Sequence, residues 1–302
     1  MHTLTPGGRL GLVLHPRRDP TPCVEQLTRW ARSHGKQVIV DAREAARVPD
    51  DVELVSEAQL VDEADALISL GGDGTMLGAL RLAARRPIPV VGVNLGDRGF
   101  LVEIQPHEVD AALDRIDAGD YTIEEHSAAV LTDGRDESIA FNDIALASVP
   151  GEGAVQASLT VNGRTSGRYR CDALVIATPI GSTAYSYAAG GPVVSPMLDA
   201  MIVSPVAPIS GISRPAVISA NEPIGLALVE GSGGPALQVD GTIMRRMEPG
   251  DALEVRLRTR AGLVLRLDPE RYQRQSNVKL SLLDLPFLPE EMRDVLPGAP
   301  VA

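Results

Sequence analysis

The sequence is poor in several residue types, and each shortage excludes a class of protein. Its two cysteines, Cys23 and Cys171, stand far apart and outside any metal-ligand or Cys-x-x-Cys spacing. We therefore expect two buried thiols. Basic residues are also scarce, because 28 lysines and arginines face 40 aspartates and glutamates, which gives a net charge of −12. This balance argues against nonspecific nucleic-acid binding, which depends on a basic surface.

Long apolar runs are missing as well. No stretch of about 18 uninterrupted apolar residues occurs, and the sequence up to Arg9 has no basic segment leading into an apolar one. We expect a cytoplasmic protein without a membrane partner. Hydrophobic residues still make up 44% of the 302 residues, which is enough for a substantial core and, at this length, for two domains.

The first third of the sequence alternates between short apolar runs and helix-like stretches. Strands are predicted at residues 10–15, 37–41, 64–70 and 90–93, and helices at residues 23–33 and 76–84. Such alternation is typical of βαβ units in a parallel sheet. The sequence therefore predicts an α/β nucleotide-binding domain with a mostly parallel sheet over residues 1–125.

From about residue 121 the pattern changes to short β-like runs separated by turns. Strands are predicted at residues 128–131, 139–147, 155–161, 174–177, 216–219, 224–229, 236–239 and 253–257. Asn162 and Gly163 form a strong hairpin signal. We predict a β-rich domain over residues 126–279, and one option is that the tail, residues 280–302, packs back on the first domain.

A glycine-rich turn joins the strand at residues 64–70 to the helix at residues 76–84. It consists of Gly71, Gly72, Asp73, Gly74 and Thr75. Glycine lets the backbone approach a ligand closely and adopt positive φ, and the helix start offers unpaired N–H groups to an anion. The turn favours a phosphate site, although a simple connector explains it equally well, because Asp-Gly is a common turn.

A second loop follows the next strand and contains Asn94, Gly96, Gly99 and Phe100. In an open parallel sheet, loops at the carboxyl ends of neighbouring strands face one crevice, where ligands bind. We expect both loops to line that crevice.

Polar residues also interrupt the predicted β-rich domain. Asn142 and Asp143 stand inside an apolar run and require hydrogen-bond partners. A carboxylate beside an amide suits the hydroxyls of a ribose, although an edge-strand turn would use the same residues. Farther along, four small hydroxyl residues follow one another closely, namely Thr178, Ser182, Thr183 and Ser186. We predict a helix with Ser182 or Thr183 near its N-cap, which explains one hydroxyl and not four.

Taken in order, these motifs resemble the NAD kinase family, which phosphorylates the 2′-hydroxyl of the adenosine ribose of NAD. The resemblance covers roughly residues 10–250. It is carried by residues 71–75, 94–101, 142–143 and 178–192 and by Asp240 with Gly241. A simple turn would explain Asp240 and Gly241 equally well. Each element is weak alone, and all five in this order are specific.

The resemblance implies an α/β N-terminal domain, a β-rich C-terminal domain and an active site between them. It implies NAD as the acceptor and ATP with Mg²⁺ or another divalent cation as the donor, with polyphosphate as a donor in some members. A homodimer or homotetramer is expected. No compact carboxylate cluster is suited to hold the cation alone, so we expect it to arrive on the triphosphate.

The resemblance also assigns roles to single residues. Asp73 is the implied proton acceptor, and because aspartate is a weak base we expect it mainly to orient the hydroxyl and to take its proton late. The residues implied to bind the nucleotides are Gly71, Gly72, Gly74, Thr75, Asn94, Gly96, Gly99, Phe100, Asn142, Asp143, Arg170, Asp172, Thr183, Ala184, Tyr185, Ser186, Tyr187, Ala188 and Thr242.

Three positions depart from the family's usual pattern at the acceptor end. Arg98 replaces a common leucine, Ile209 a common histidine, and Thr242 a common glutamine. Two alternatives therefore stay open. One is a kinase that uses the same turn on another nucleoside, sugar or lipid, the lipid version being least favoured because no basic amphipathic helix is present. The other is a nucleotide-binding regulator without turnover, against which the retained Asp73 argues.

Overall fold

The computed structural model describes residues 8–96, 101–134 and 137–270. These residues fall into two compact units. Among them, the first unit contains residues 8–76, 89–96, 101–124 and 265–270, and the second contains residues 77–88, 125–134 and 137–264. The tail, residues 280–302, lies outside the described residues.

The first unit is an α/β layer structure. Its elements are β1 (Arg9–Leu14), α1 (Thr21–Ser33), β2 (Gln37–Asp41), β3 (Glu53–Val55), α2 (Glu57–Glu63), β4 (Ala66–Gly71), the start of α3 (Asp73–Ala83), β5 (Pro89–Asn94) and α4 (Val109–Asp117). The strands form a parallel sheet in the order β5-β4-β1-β2-β3. This confirms the predicted parallel sheet and places the reversal of strand order between β1 and β4.

The centre of this sheet is buried on both faces. Every residue of β4 and of β5 is buried, as expected for parallel strands covered by helices on both sides. The helix α1 packs one apolar face on the sheet, and its Trp30 donates the indole N–H to Asp114 of α4 over 2.7 Å. Cys23 is buried in the same core and carries a free thiol, as predicted.

The second unit is built almost entirely from strands. Its elements are β6 (Thr122–Thr132), β7 (Glu137–Ala140), β8 (Asp143–Ala147), β9 (Val155–Val161), β10 (Arg164–Cys171), β11 (Ala173–Ala177), α5 (Tyr185–Ala188), β12 (Ala200–Val206), β13 (Ser210–Gly211), β14 (Ala216–Ser219), β15 (Ile224–Leu228), β16 (Ala236–Val239), β17 (Thr242–Arg246) and β18 (Ala252–Arg266). The first three residues of β6 and the last two of β18 belong to the first unit.

Two sheets form this β-rich unit, which the sequence predicted. One has the order β13-β10-β9-β15-β18, with β6 and β7 attached through β18, and the other has the order β14-β12-β11-β8-β16-β17. Buried apolar side chains from both sheets, such as Leu159 and Ile176, belong to one core cluster, which also includes the free thiol of Cys171. The hairpin at Asn162 and Gly163 is confirmed, and both residues have positive φ.

One predicted strand is split in two. The run at residues 139–147 was expected to be continuous, but β7 ends at Ala140 and β8 begins at Asp143. The two strands pair in different sheets, β7 with β6 and β8 with β11 and β16. Phe141 and Asn142 form the corner between them, so the polar pair marks the point where the chain changes sheets.

Several elements were not predicted. They are β3, β12, β13, β17, α2, α4 and the second half of β18, near which the exposed Arg256 and Arg260 and the half-buried Arg258 obscure the strand pattern. Within the described residues, no helix combines the length and the hydropathy that a membrane crossing requires.

Candidate active site

The two predicted loops of the first unit lie side by side. The strands β4 and β5 pair in parallel with Gly71 opposite Asn94, and the backbone N–H of Leu95 donates to the carbonyl of Gly71 over 3.1 Å. Both loops therefore leave the carboxyl edge of the sheet at the same place. This edge is where ligands bind in open α/β sheets.

The glycines of the first loop do not have the positive φ that was expected of them. Gly71, Gly72 and Gly74 are not among the residues with positive φ. A Cβ on Gly71 would lie 2.2 Å from Oγ1 of Thr75, so glycine is required there for packing. A Cβ on Gly72 or Gly74 would meet none of the described atoms within 4 Å. No described residue therefore fills the space beside these two glycines, as a turn that admits a ligand requires.

Asp73 is the first residue of α3, and its carboxylate is held by the neighbouring loop. Its Oδ1 accepts a hydrogen bond from the backbone N–H of Leu101 over 2.8 Å. The carbonyl of Leu101 in turn accepts from Nη1 of Arg266 over 2.9 Å, and the buried Arg266 pairs with Glu124. The orientation of Asp73 thus depends on a buried ion pair, and no sequence signal pointed to Arg266.

The second loop borders a cleft. The side chain of Asn94 is buried and accepts from the backbone N–H of Gly96 over 3.0 Å. The Arg18 guanidinium donates to the carbonyl of Leu95 and lies 2.7 Å from the position of a Cβ on Gly96. The cleft has a volume of about 500 Å³ and is lined by Arg18, Asp19, Asn94, Leu95, Gly96, Gln105 and Pro106. Gly99 and Phe100, predicted members of this loop, lie outside the described residues.

The edge of this cleft is locally positive, although the chain is acidic. Burial, followed by the positive charges of Arg18, Arg47 and Arg17, lowers the pKa of His15. Sequence reasoning missed Arg18, yet it follows β1 in the same parallel sheet. The rule that identified the loops after β4 and β5 would therefore have found it.

In the second unit, the corner between β7 and β8 is fixed by one carboxylate. Oδ1 of Asp240 accepts from the backbone N–H groups of Asn142 over 2.7 Å and of Asp143 over 3.2 Å. Its Oδ2 accepts from the backbone N–H of Phe141 over 3.1 Å and from Nη1 of Arg81 over 2.8 Å. The Asp240 side chain is completely buried.

The carbonyl groups of the same corner are also occupied. The hydroxyl of Thr178 donates to the carbonyl of Phe141, and the backbone N–H of Thr178 donates to the carbonyl of Asn142 over 2.9 Å. A Cβ on Gly181 would lie 1.9 Å from the oxygen of Asn142, so only glycine fits there. The backbone of the corner is therefore held on both sides.

Asp143 lies against the segment that was predicted to line the nucleotide. Its buried carboxylate accepts from the backbone N–H of Tyr185. Burial, and next the negative charge of Asp240, raises the pKa of Asp143 to about 7. Burial and then the charges of Asp143 and Asp172 raise the pKa of the Tyr185 phenol. The structure thus brings Tyr185 against Asp143, whereas Asp172 lies at the other end of β8, where its carbonyl accepts from the N–H of Ser148.

Four other residues of this unit that were predicted to bind the nucleotides differ in their exposure to solvent. Arg170 in β10 and Thr242 at the start of β17 are exposed. Ala188 is exposed at the end of α5, and Tyr187 is half-buried.

The hydroxyl residues near α5 are explained by the fold. Thr178 bonds to Phe141, Ser182 accepts from the N–H of Val194, Thr183 donates to the carbonyl of Ile180, and Ser186 pairs with Ser204 over 2.8 Å. Thr183 lies next to the N-cap of α5, as predicted, but no hydroxyl caps the helix. A 3₁₀ turn covers Ile180–Thr183, and α5 begins after Ala184, whose side chain makes no cap.

Comparisons with known proteins agree with this geometry. The model of the ATP-NAD kinase N-terminal domain matches residues 10–121, and that of the ATP-NAD kinase C-terminal domain matches residues 141–266. The NAD kinase of Heliobacterium modesticaldum is 38% identical over 215 residues, which are 70% of this chain and 76% of that protein. The chain belongs to the NAD kinase family.

Solved structures of NAD kinases share its fold. A yeast NADH kinase complexed with NADH superposes with a TM-score of 0.80 at 22% identity, covering 95% of this chain and 90% of the yeast one. An NAD kinase from Archaeoglobus fulgidus in complex with ATP gives a TM-score of 0.69 at 24% identity, covering 90% and 98%. The predicted two-domain NAD kinase fold is therefore confirmed.

The departures from the NAD kinase pattern fall at exposed positions where they are described. Ile209 is 58% exposed and Thr242 is exposed, while Arg98 lies outside the described residues. No group of three or more histidine, cysteine or acidic side chains that could hold a metal ion occurs within residues 8–96, 101–134 and 137–270.

Proposed function

We propose that the chain is an NAD kinase that transfers the terminal phosphoryl group of ATP to the 2′-hydroxyl of the adenosine ribose of NAD, giving NADP and ADP. One observation carries the proposal. Asp73 starts a helix at a glycine-rich turn, where a backbone N–H orients its carboxylate and no described residue fills the space beside Gly72 and Gly74. Such a turn combines groups that bind phosphate with a group that accepts a proton.

The donor is held by the first unit in this proposal. The N–H groups at the start of α3 and the backbone of Gly71, Gly72, Gly74 and Thr75 face the phosphate chain, with the helix dipole favouring negative charge there. Asn94 and Gly96 line the cleft beside this turn, where Arg18 supplies a positive charge. Gly99 and Phe100 are further proposed nucleotide contacts, from the family resemblance alone. Local charge matters here because the chain carries a net charge of −12.

The acceptor is recognised by residues of the second unit. Asn142 and Asp143 bind ribose hydroxyls, because an amide and a carboxylate offer both donors and acceptors. The further residues proposed to contact NAD are Arg170, Asp172, Thr183, Ala184, Tyr185, Ser186, Tyr187, Ala188 and Thr242. The hydroxyl of Ser186 is hydrogen-bonded to Ser204, so its proposed contribution is to the shape of the NAD site.

The chemical step needs little from the protein beyond orientation. The 2′-oxygen bonds to the terminal phosphorus, the bond from that phosphorus to the bridging oxygen of ADP breaks, and the hydroxyl proton passes to Asp73. Because the transition state of phosphoryl transfer is loose, the proton moves late and positioning dominates. Hydrogen bonding to Leu101 fixes the carboxylate for that role.

The divalent cation enters the proposal as part of the substrate, because the described residues offer no site built for it. Bound to the triphosphate, Mg²⁺ neutralises charge on the phosphate oxygens. Use of polyphosphate, assembly as a homodimer or homotetramer, and a cytoplasmic location stay predictions from the family resemblance and the sequence.

The test is a screen of acceptors and donors. Purified protein is incubated with MgATP and NAD, and NADP is detected with an NADP-specific dehydrogenase. Parallel reactions replace NAD with NADH and ATP with polyphosphate, since the relatives of known structure include an NADH kinase and an ATP complex. NADP formation is expected. Phosphorylation of another acceptor alone would favour the related kinase, and binding without turnover would favour the regulator.

A further inference from the structure

Asp240 makes more contacts than its place in a turn requires. It connects β16 to β17 with a φ of +46°, and Gly241 follows with a φ of +75°. Positive φ at both central residues defines the tight hairpin turn in which Asn-Gly and Asp-Gly are common. Asparagine would therefore satisfy the turn as well as aspartate does. The turn alone does not explain a buried carboxylate.

The four donors around Asp240 give the explanation. Three are the consecutive backbone N–H groups of Phe141, Asn142 and Asp143, and the fourth is the guanidinium of Arg81. Consecutive N–H groups that converge on one point form an anion-binding nest. Only a group that accepts at both oxygens satisfies all four donors.

We propose that Asp240, paired with Arg81, is a positioning residue that holds Asn142 and Asp143 in the arrangement that binds the acceptor's hydroxyls. This inference rests on the proposed function. Asp240 acts through the backbone of the corner, so it supports acceptor binding without touching the acceptor. Arg81 supplies the positive charge that a buried carboxylate needs.

The chain path explains why such a support is needed. The corner lies where the backbone leaves β7 in one sheet and enters β8 in the other, so its N–H groups have no strand partner. Buried N–H groups without partners are costly. The Asp240 carboxylate replaces the missing strand, and the backbone N–H of Asp240 donates to the carbonyl of Asp143 over 2.9 Å.

The charged groups near the β7–β8 corner provide a further measurement, the pH dependence of the KM for NAD, which a merely structural role would not change. The titratable groups that act on the Asp143 carboxylate are Asp240 and the Tyr185 phenol, and Arg81 is bonded to Oδ2 of Asp240. Replacing Asp240 with asparagine removes the nearest negative charge. The pH at which Asp143 ionises should then decrease, and so should the midpoint of any pH dependence of the KM for NAD.

The test compares three variants with a matched control. Asp240→Asn keeps the turn but places an NH₂ group against two of the four donors. Arg81→Met removes the positive charge that pairs with Asp240, and Arg81→Lys retains it. The control is Asp133→Asn, because Asp133 also pairs with an arginine, Arg245, and is largely buried in the same unit. Kinetics with MgATP and NAD gives kcat and both KM values, and thermal unfolding monitors folding.

We expect Asp240→Asn to raise the KM for NAD by at least about tenfold, with the KM for ATP within about twofold of wild type. The midpoint of the pH dependence of its KM for NAD should lie below that of wild type. Arg81→Met should show the same selectivity and Arg81→Lys a smaller effect, whereas Asp133→Asn should match wild type in kinetics. An unchanged KM for NAD in a folded Asp240→Asn would overturn the proposal.

Hydrogen exchange separates this inference from the proposed function. The backbone N–H groups of Phe141, Asn142 and Asp143 should exchange at least about tenfold faster in Asp240→Asn without substrate, and not in Asp133→Asn. If the wild type forms no NADP, the proposed function fails, and the exchange rates still decide whether Asp240 holds the corner. Unchanged exchange at these three groups would show that it does not.

Discussion

Leu101 donates its backbone N–H to Oδ1 of Asp73 over 2.8 Å, although 28 residues separate them in the sequence. The carboxylate at the start of α3 is therefore oriented by the segment that follows β5. Arg266 binds the carbonyl of the same leucine, so a buried guanidinium stabilises this orientation. Groups held in place before the reaction contribute most to transfers with a loose transition state.

Asp73→Asn removes the proton acceptor and keeps the shape of the side chain. The amide oxygen can still accept from Leu101, but the NH₂ group that replaces the other oxygen cannot take a proton from a hydroxyl. We expect kcat to fall by at least about 10²-fold and the KM for ATP to change by less than about twofold. Steady-state kinetics measures both values. A kcat close to wild type would remove Asp73 from the chemistry.

Gly74→Ala tests whether the open space at the turn admits a ligand. A methyl group there meets none of the described atoms within 4 Å, so the variant should fold normally. If phosphate occupies that space, displacement of the substrate should lower kcat/KM by about 10²-fold. Thermal unfolding and kinetics are measured together.

Gly78→Ala is the matched control for this prediction. Gly78 also lies in α3, and its nearest atom to an added Cβ is 3.9 Å away. Alanine should stabilise the helix by about 1 kcal/mol and leave activity unchanged. Equal activities of the two variants would show that the space at Gly74 plays no part in binding.

Asp143→Ala should weaken acceptor binding selectively. Losing one contact to a hydroxyl is expected to cost about 1–3 kcal/mol, which corresponds to a roughly 5- to 150-fold rise in the KM for NAD. The KM for ATP should not change. Titration of NAD in the kinetic assay measures the effect, and an unchanged KM would indicate that Asp143 serves the structure alone.

The raised pKa of Asp143 predicts how stability depends on pH. The pKa increases from 3.8 to about 7, chiefly through burial and then through the charge of Asp240. Between these values the folded chain holds a proton that the unfolded chain has released. The contribution of Asp143 to the free energy of unfolding therefore decreases as pH rises from 3.8 to about 7, and is constant above that range.

Asp143→Asn isolates this contribution, because asparagine does not titrate. The difference in unfolding midpoint, variant minus wild type, should increase between pH 4 and pH 7 and then level off. Thermal unfolding in a series of buffers measures it. A difference that is independent of pH would contradict the raised pKa.

Local patterns were sufficient to predict the βαβ units, the β-rich unit and the loops after β4 and β5. Apolar periodicity and turn residues are properties of neighbouring residues, so they can be read directly. The contact of Arg81 with Asp240 joins residues 159 apart, and that of Arg266 with Leu101 joins residues 165 apart. Such pairs depend on the packing of distant segments, which no local pattern encodes.

The hydroxyl residues near α5 show a different kind of error, in which a local pattern was attributed to a ligand although hydrogen bonds within the protein explain it. Their number suggested a ligand, but Thr178, Ser182, Thr183 and Ser186 each bond within the protein. Composition alone does not distinguish side chains that form hydrogen bonds within the protein from side chains that bind a substrate. Asp240 was present among the motifs, yet only its four donors show that it does more than form a turn.

The change of sheets between β7 and β8 has a consequence for engineering new acceptors. Its backbone is held by Asp240 and Thr178, so the side chains at positions 142 and 143 can change without removing those bonds, although the buried Asp143 also accepts from the backbone N–H of Tyr185. A mutant library that varies those two positions can sample new chemistry on an unaltered frame. An insertion or deletion between β7 and β8 would instead shift strands in two sheets at once, so diversity there is best introduced by substitution.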